Sequence, residues 1–210
     1  MTPYYQDDAV TIYHGDCREI LPTLGRFDLL LTDPPYGIEW AGHGGSDRQW
    51  NAIAGDDSTD LAHWLCEQIS EDQEAVIWGA NNFTNSIPRK GHWICWDKRL
   101  TKEADKMLGS AFELAWENNR SGFDAMFRVL HGGVVNADGG KRFHPTQKPV
   151  PLFRMVLGRY AKATTILDPF AGSGTTGVAA KLEGRKATLI ELEERYCEIA
   201  AKRLSQGVLF

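Results

Sequence analysis

The sequence predicts an α/β protein with a mostly parallel, doubly wound sheet. Three observations carry that expectation. The last quarter of the chain alternates strand-like runs with helical stretches. Several of those runs are almost continuously apolar, as strands covered on both faces are. The length, 210 residues, suits one such domain and leaves little for a second, so residues 1–210 are read as a single domain.

In chain order, Val10–Tyr13 is a short strand stopping at Gly15-Asp16, and Arg18–Leu24 is a helical turn. Phe27–Thr32 is a buried strand. It must end at Asp33-Pro34-Pro35-Tyr36-Gly37, because two prolines remove backbone donors. Residues 42–57 are rich in Gly, Ser and Asp and read as a loop. Thr59–Ser70 is an amphipathic helix with Leu61, Trp64, Leu65 and Ile69 on one face. Ala75–Trp78, His92–Trp96 and Phe112–Trp116 read as strands, and Pro151–Tyr160 as a helix. A βαβα ending follows: Thr164–Leu167, Gly174–Leu182, Lys186–Ile190 and Glu193–Leu204.

No run of 18 apolar residues suggests a membrane span, and the polar, acidic start lacks a signal-peptide core. Cys17, Cys66, Cys95 and Cys197 are scattered without a CxxC pair, which fits a reducing, cytoplasmic setting. The six histidines have no ligand spacing, so no metal is expected. Net charge is −5, yet residues 86–162 hold 14 Lys/Arg against 7 Asp/Glu, leaving 9 against 21 elsewhere. A basic middle between acidic ends is either a phosphate-binding surface or a solvated face with local pairing. Lys98, Arg99, Lys102 and Lys106 are its best candidates for phosphate contact.

Two segments carry chemistry. In Asp168-Pro169-Phe170-Ala171-Gly172-Ser173-Gly174-Thr175-Thr176 a strand ends, a glycine turn follows and a helix begins. Backbone can approach a ligand closely there, with helix N–H groups aimed at it. Glu191, ending the next strand, can accept hydrogen bonds from ribose hydroxyls. A nicotinamide dinucleotide is one candidate ligand, although the spacing is not G-x-G-x-x-G; a P-loop is excluded because no Gly-Lys-Ser/Thr follows. The second segment is Asp33-Pro34-Pro35-Tyr36, either a rigid turn or a catalytic one. A base's exocyclic amine is a poor nucleophile because its lone pair is delocalised into the ring. Donating its N–H groups to the Asp33 carboxylate and the Pro34 carbonyl would hold it and push it towards tetrahedral geometry. Tyr36 offers a face for stacking, and the base must leave the duplex to reach it.

These segments resemble motifs of the DNA amino-methyltransferases of N6-adenine and N4-cytosine type. Asp33–Tyr36 resembles the catalytic motif and Asp168–Thr175 the cofactor glycine loop. Their order, with the basic stretch between, resembles the circularly permuted β group. Gly15-Asp16-Cys17 stands where that family places an acidic residue near the cofactor adenine. His144-Pro145-Thr146-Gln147-Lys148-Pro149 resembles the segment beside the cofactor's methionine part, and Glu191 matches the ribose-binding acid. The resemblance spans residues 12–204. It implies a seven-stranded Rossmann-like fold and S-adenosylmethionine as cofactor. The implied cofactor residues are Asp16, Cys17, Thr146, Lys148, Asp168, Phe170, Ala171, Gly172, Ser173, Gly174, Thr175 and Glu191; Asp33, Pro34, Pro35 and Tyr36 are catalytic.

Double-stranded DNA is then the substrate, contacted through a short recognition region within about residues 86–145. Adenine N6 is the favoured target because the motif begins with Asp; N4 of cytosine is the alternative. Methylation of an RNA base or a glutamine side chain, and a non-catalytic cofactor- and DNA-binding module, are rivals. Members of that family are often homodimers, and the sequence shows no interface. Trp40 or Trp50 could fill the gap left by an extruded base. Trp78, Trp93, Trp96 and Trp116 read mainly as core, and Asn81-Asn82 as a helix cap.

Overall fold

A computed structural model describes residues 1–39, 52–70, 72–88, 90–99, 110–119, 122–132, 135–136 and 143–206. The chain forms two compact units, Met1–Thr32 with Ala137–Phe210, and Asp33–Asn136.

The first unit opens with β1 (Tyr5–Gln6), β2 (Val10–His14), α1 (Cys17–Ile20) and β3 (Leu29–Thr32). The second contains α2 (Asp60–Glu67), β4 (Glu74–Trp78), β5 (His92–Asp97), β6 (Phe112–Glu117), β7 (Ala125–Arg128), and the short pair β8 (His131–Gly132) and β9 (Val135–Asn136). The first unit resumes with α3 (Val150–Arg159), β10 (Thr165–Asp168), α4 (Thr175–Leu182), β11 (Lys186–Glu191) and α5 (Glu194–Ser205).

In the first unit β2, β11, β10 and β3 lie side by side and parallel, with β1 added antiparallel to β2. Registers Ile166 to Leu29, Leu167 to Thr188 and Leu189 to Ile12 align their apolar runs. Val10, Ile12, Leu29, Leu30, Leu31, Leu167 and Leu189 are all buried, so these strands read as continuous apolar runs because both faces are covered. α3 packs on α4, and α4 on β11. Gly177 permits the latter, since a Cβ there would lie 2.8 Å from Leu189.

Lys181, Arg185 and Arg203 bind main chain within this unit. Arg185 donates to the carbonyls of Leu157 and Tyr160 at 2.9 and 2.8 Å, at the end of α3. Lys181 reaches the Leu204 carbonyl at 3.0 Å and Asp7 at 2.6 Å. Arg203 donates to the Ser173 carbonyl at 2.6 Å. Arg185 and Lys181 thus satisfy orphan carbonyls at the C-termini of α3 and α5 and oppose their macrodipoles, while Arg203 holds the glycine loop just ahead of α4.

In the second unit the strand order is β4, β6, β5, β7; β6 is antiparallel to both neighbours, and β7 is parallel to β5. Parallel pairing therefore dominates the first unit, while the second is mixed. The described strands outnumber the seven implied by the family resemblance, the two-residue β1 being one of the small additions. Trp78, Trp96 and Trp116 are buried as expected. Trp78 and Trp96 meet edge to face at 6.3 Å, and the Trp96 indole N–H donates to the Val129 carbonyl at 2.9 Å. The buried stripe of α2 is Ala62, Leu65 and Cys66. Leu61, Trp64 and Ile69, expected in that stripe, are half-buried, and Ile69 lies past the end of the helix.

Candidate functional site

Because β2, β11, β10 and β3 are parallel, their carboxyl ends share one edge of the first unit, the usual ligand edge of such sheets. Asp168 ends β10 and is 3% exposed. Its Oδ1 accepts from the Thr32 hydroxyl at 2.7 Å and the Phe170 N–H at 3.1 Å; its Oδ2 accepts from the Thr176 hydroxyl at 2.5 Å. This carboxylate joins the end of β3, the start of the glycine loop and the first turn of α4. Phe170 is half-buried, and Ala171 is tied to β11 by its N–H to the Ile190 carbonyl, 3.0 Å. Gly172 and Gly174 adopt φ of +49° and +82°, a region glycine enters without a Cβ clash. A Cβ on Gly174 would also lie 2.8 Å from that of Ala200, so this glycine admits α5.

Glu191, at the end of β11, accepts from the Gly172 N–H on one oxygen and from the Glu193 N–H on the other, both at 2.7 Å. A carboxylate oxygen carries two lone pairs, so acceptor capacity remains on each. Burial pushes its pKa up from 4.5 to about 7, opposed by those two backbone donors. Next to it the Gly15 N–H donates to the Glu191 carbonyl at 2.9 Å, bringing the Gly15-Asp16-Cys17 turn to the same edge. Asp16 caps α1 through the Arg18 N–H at 2.8 Å, and its carboxylate, paired with the Arg18 guanidinium, is held below the usual range. Cys17 is buried, with its thiol pushed up to about 12 by desolvation, so it packs as a small apolar group.

The segment before α3 is bound to the glycine loop. Gln147, which is buried, accepts on its side-chain oxygen from the Ser173 hydroxyl at 3.1 Å and the Phe143 N–H at 2.9 Å. The Thr175 hydroxyl donates to the carbonyl of buried Lys148 at 3.2 Å. Thr146 bonds His144 Nδ1 through its N–H at 3.3 Å, and the His144 ring stands edge-on to Tyr196 at 4.3 Å. The structure thus brings Asp16, Cys17, Thr146, Lys148, Glu191 and the loop from Asp168 to Thr175 to the strand-end region of one unit. Gln147, Thr32, Thr176 and Arg203 belong to the same network but were not singled out by sequence. Gln147 and Thr176 lay inside the two segments that carried the expectation, without a role of their own; the hydroxyl of Thr32 and the cation of Arg203 had no pattern to mark them.

Asp33–Tyr36 is an irregular turn of the second unit, with Pro34 buried and the other three residues half-buried. The Tyr36 hydroxyl donates a short hydrogen bond to Asp33 Oδ1. Asn81-Asn82, expected to cap a helix, instead end a short 3-10 turn whose start has no side-chain cap; Asn82 donates its side-chain amide back to the Gly79 carbonyl at 3.0 Å. Of the phosphate candidates, Lys98 is paired with Glu113 and lies 4.9 Å over the Trp96 ring, with only 15% of its side chain exposed. Arg99 donates its backbone N–H to Asp97 at 2.9 Å. Lys102, Lys106, Trp40 and Trp50 lie outside the described residues. Among the described residues no cluster of His, Cys, Asp or Glu could hold a metal, and no helix is long and apolar enough to cross a membrane.

Parallel strands ending in a glycine loop, with a buried acid one strand further on, define a Rossmann-like α/β protein. Comparison with known proteins narrows that class. The model of the N6/N4 methyltransferase family of DNA methylases matches residues 70–202. The type II methyltransferase M2.LlaDCHI of Lactococcus lactis subsp. cremoris is 27% identical over 99% of this chain and 94% of its own length. Two solved structures share the fold: an M1.HpyAVI–SAM complex (21% identity, TM-score 0.59, 93% of this chain and 98% of that one) and the cytosine-N4-specific PvuII DNA methyltransferase (14%, 0.63, 99% and 90%). The chain belongs to the N6/N4 DNA methylase family and is a DNA methyltransferase.

Proposed function

We propose that this enzyme transfers the methyl group of S-adenosylmethionine to N6 of an adenine turned out of duplex DNA. The observation that carries the reading is the Asp33–Tyr36 turn, which follows directly on the strand whose last residue, Thr32, is bonded to the first residue of the glycine loop. The cofactor fits the residues present. Glu191 has spare acceptor capacity for a hydroxyl pair, Phe170 offers a half-buried ring, and Gly172 has no Cβ to stand between the loop backbone and a ligand, a built Cβ there meeting the His144 ring first, at 3.5 Å. Glu191 would hold the ribose and Phe170 would pack on the nucleoside, while Asp168, Ala171, Ser173, Gly174 and Thr175 shape the loop. Asp16 and Cys17 would border the adenine, and Thr146 and Lys148 the methionine part. When bound, S-adenosylmethionine supplies an electrophilic methyl sulfonium.

The chain's own residues do the rest. The Asp33 carboxylate and the Pro34 carbonyl accept the two N–H groups of the target amine. The carboxylate stabilises the positive charge that develops on that nitrogen, an interaction that strengthens towards the transition state. Tyr36 stacks on the extruded base. Adenine is preferred over cytosine because the motif opens with Asp. A recognition region within about residues 86–145 would contact DNA, with Arg99, Lys102 and Lys106 on phosphates. Methylating DNA with labelled cofactor and identifying the modified nucleoside decides the base: N6-methyladenine is expected, and N4-methylcytosine would overturn that choice.

Asp33→Ala tests the mechanism. Single-turnover transfer at saturating DNA and cofactor should fall roughly a hundredfold or more, while cofactor affinity stays nearly normal, since the glycine loop is built on a different strand. Transfer at the unmodified rate would reduce the segment to a plain turn.

A further inference from the structure

Within the motif the Tyr36 hydroxyl is tied to the Asp33 carboxylate, but the main chain of the segment is anchored from outside it. Pro34 and Pro35 have no N–H and a fixed φ, so neither offers the fold a donor by which to anchor the turn. The first donors after Asp33 are the N–H groups of Tyr36 and Gly37. Both go to one acceptor, Oδ1 of Asp56, at 2.8 and 2.9 Å. Asp56 is 4% exposed, and its own carbonyl accepts from the Glu39 N–H at 2.9 Å. It therefore grips the chain just past the motif with side chain and backbone together.

Two glycines close the grip. Gly37 has φ of +70°, and a Cβ there would lie 2.8 Å from the Ser58 carbonyl carbon and 2.9 Å from the Thr59 nitrogen. Gly79, at φ +69°, lies against the Tyr36 ring, which fills the space a Cβ would need. The ring is thus seated on one side and the following backbone tied on the other.

We infer that Asp56 is the positioning residue of the methyl-transfer turn, a role that rests on reading Asp33–Tyr36 as catalytic. A buried carboxylate accepting two N–H bonds is a strong, directional anchor. Through the rigid diproline, that anchor sets where the Pro34 carbonyl and the Asp33 carboxylate point. What the two N–H groups require is an acceptor oxygen at that one position.

Three variants of the full chain separate these requirements, read by single-turnover methylation, calorimetric S-adenosylmethionine affinity and melting temperature. Asp56→Asn keeps the acceptor in place and should transfer within about threefold of the unmodified rate. Asp56→Glu keeps the charge but moves the acceptor by one methylene, and Asp56→Ala removes it. Both should lose about tenfold to a hundredfold in rate, the scale of a small misplacement of reacting groups, with cofactor affinity unchanged. If Asp56→Ala fails to fold, the contrast between Asn and Glu decides alone. Full rates in Glu and Ala, an Asn variant as slow as Glu, or rate losses that merely follow cofactor affinity would each overturn the role. Asp33→Ala runs beside them: if it keeps full activity, the catalytic reading itself has failed; if it is inactive while Asp56→Glu and Asp56→Ala are not, only the positioning role falls.

Discussion

The environment of Glu191 departs clearly from the ordinary carboxylate case. Its folded pKa of about 7 lies above the usual 4.5, so the folded state favours the neutral acid. The stability this contributes is fully present below the unfolded value and is lost as pH rises through about 7. Cofactor binding runs the other way. Ribose hydroxyls donate more strongly to a carboxylate than to an acid, so affinity should tighten, up to roughly tenfold per pH unit, as pH rises towards 7 and should level off above it. Calorimetric titration from mildly acid to mildly alkaline pH measures this. Glu191→Gln, which keeps an acceptor but cannot titrate, should bind with a flatter profile; an identical slope in both proteins would assign the effect to another group. Glu191 was legible in the sequence because it ends the strand after the glycine loop. Its two backbone donors were not, since they come from Gly172 and Glu193 only once the loop has folded over the strand end. Asp56 was invisible for the same reason: an acid in a Gly- and Asp-rich stretch, about 20 residues from its partners, has no spacing that marks it.

Elements of the first unit were read almost to their ends, since near-continuous apolar runs and the helices between them leave little choice of period. β10, α4, β11 and α5 each differ from expectation by a residue or so. The second unit was harder. β7, Ala125–Arg128, was not anticipated, because its alternation of half-buried and exposed residues, with exposed Met126, gives no clean apolar face. In the first unit the exception is β1, whose two residues are too few to carry a pattern. The contact between β3, β10 and α4 is also one that sequence could not supply, because the Thr32 hydroxyl and the Asp168 carboxylate are 136 residues apart. Removing that donor leaves a buried carboxylate short of a partner. Thr32→Val, nearly isosteric, should cost about 1–3 kcal/mol in urea unfolding, and Thr32→Ser distinctly less. Equal stability in all three proteins would show that the bond contributes nothing net.

For the molecule as a whole, the question raised by a net charge of −5 is how such a protein holds a polyanion. The excess of basic residues in the middle of the chain was plain in the sequence, but composition does not show which charges are already paired. Lys98 is engaged with Glu113 and largely covered, so Lys98→Ala should hardly change the salt dependence of DNA affinity. Replacing Arg99, Lys102 and Lys106 together should flatten the slope of log affinity against log salt by about one counterion per lost contact. An unchanged slope in the triple variant would leave these residues as a solvated face. Lys181, Arg185 and Arg203 hold the first unit by a different physics. Their bonds to carbonyls of Leu204, Leu157, Tyr160 and Ser173 are 2.6–3.0 Å long, well inside any screening length at physiological ionic strength. Ionic strength therefore becomes a selective eluent: it loosens the grip on nucleic acid while leaving these main-chain clasps closed, so release and unfolding occupy separate ranges of salt.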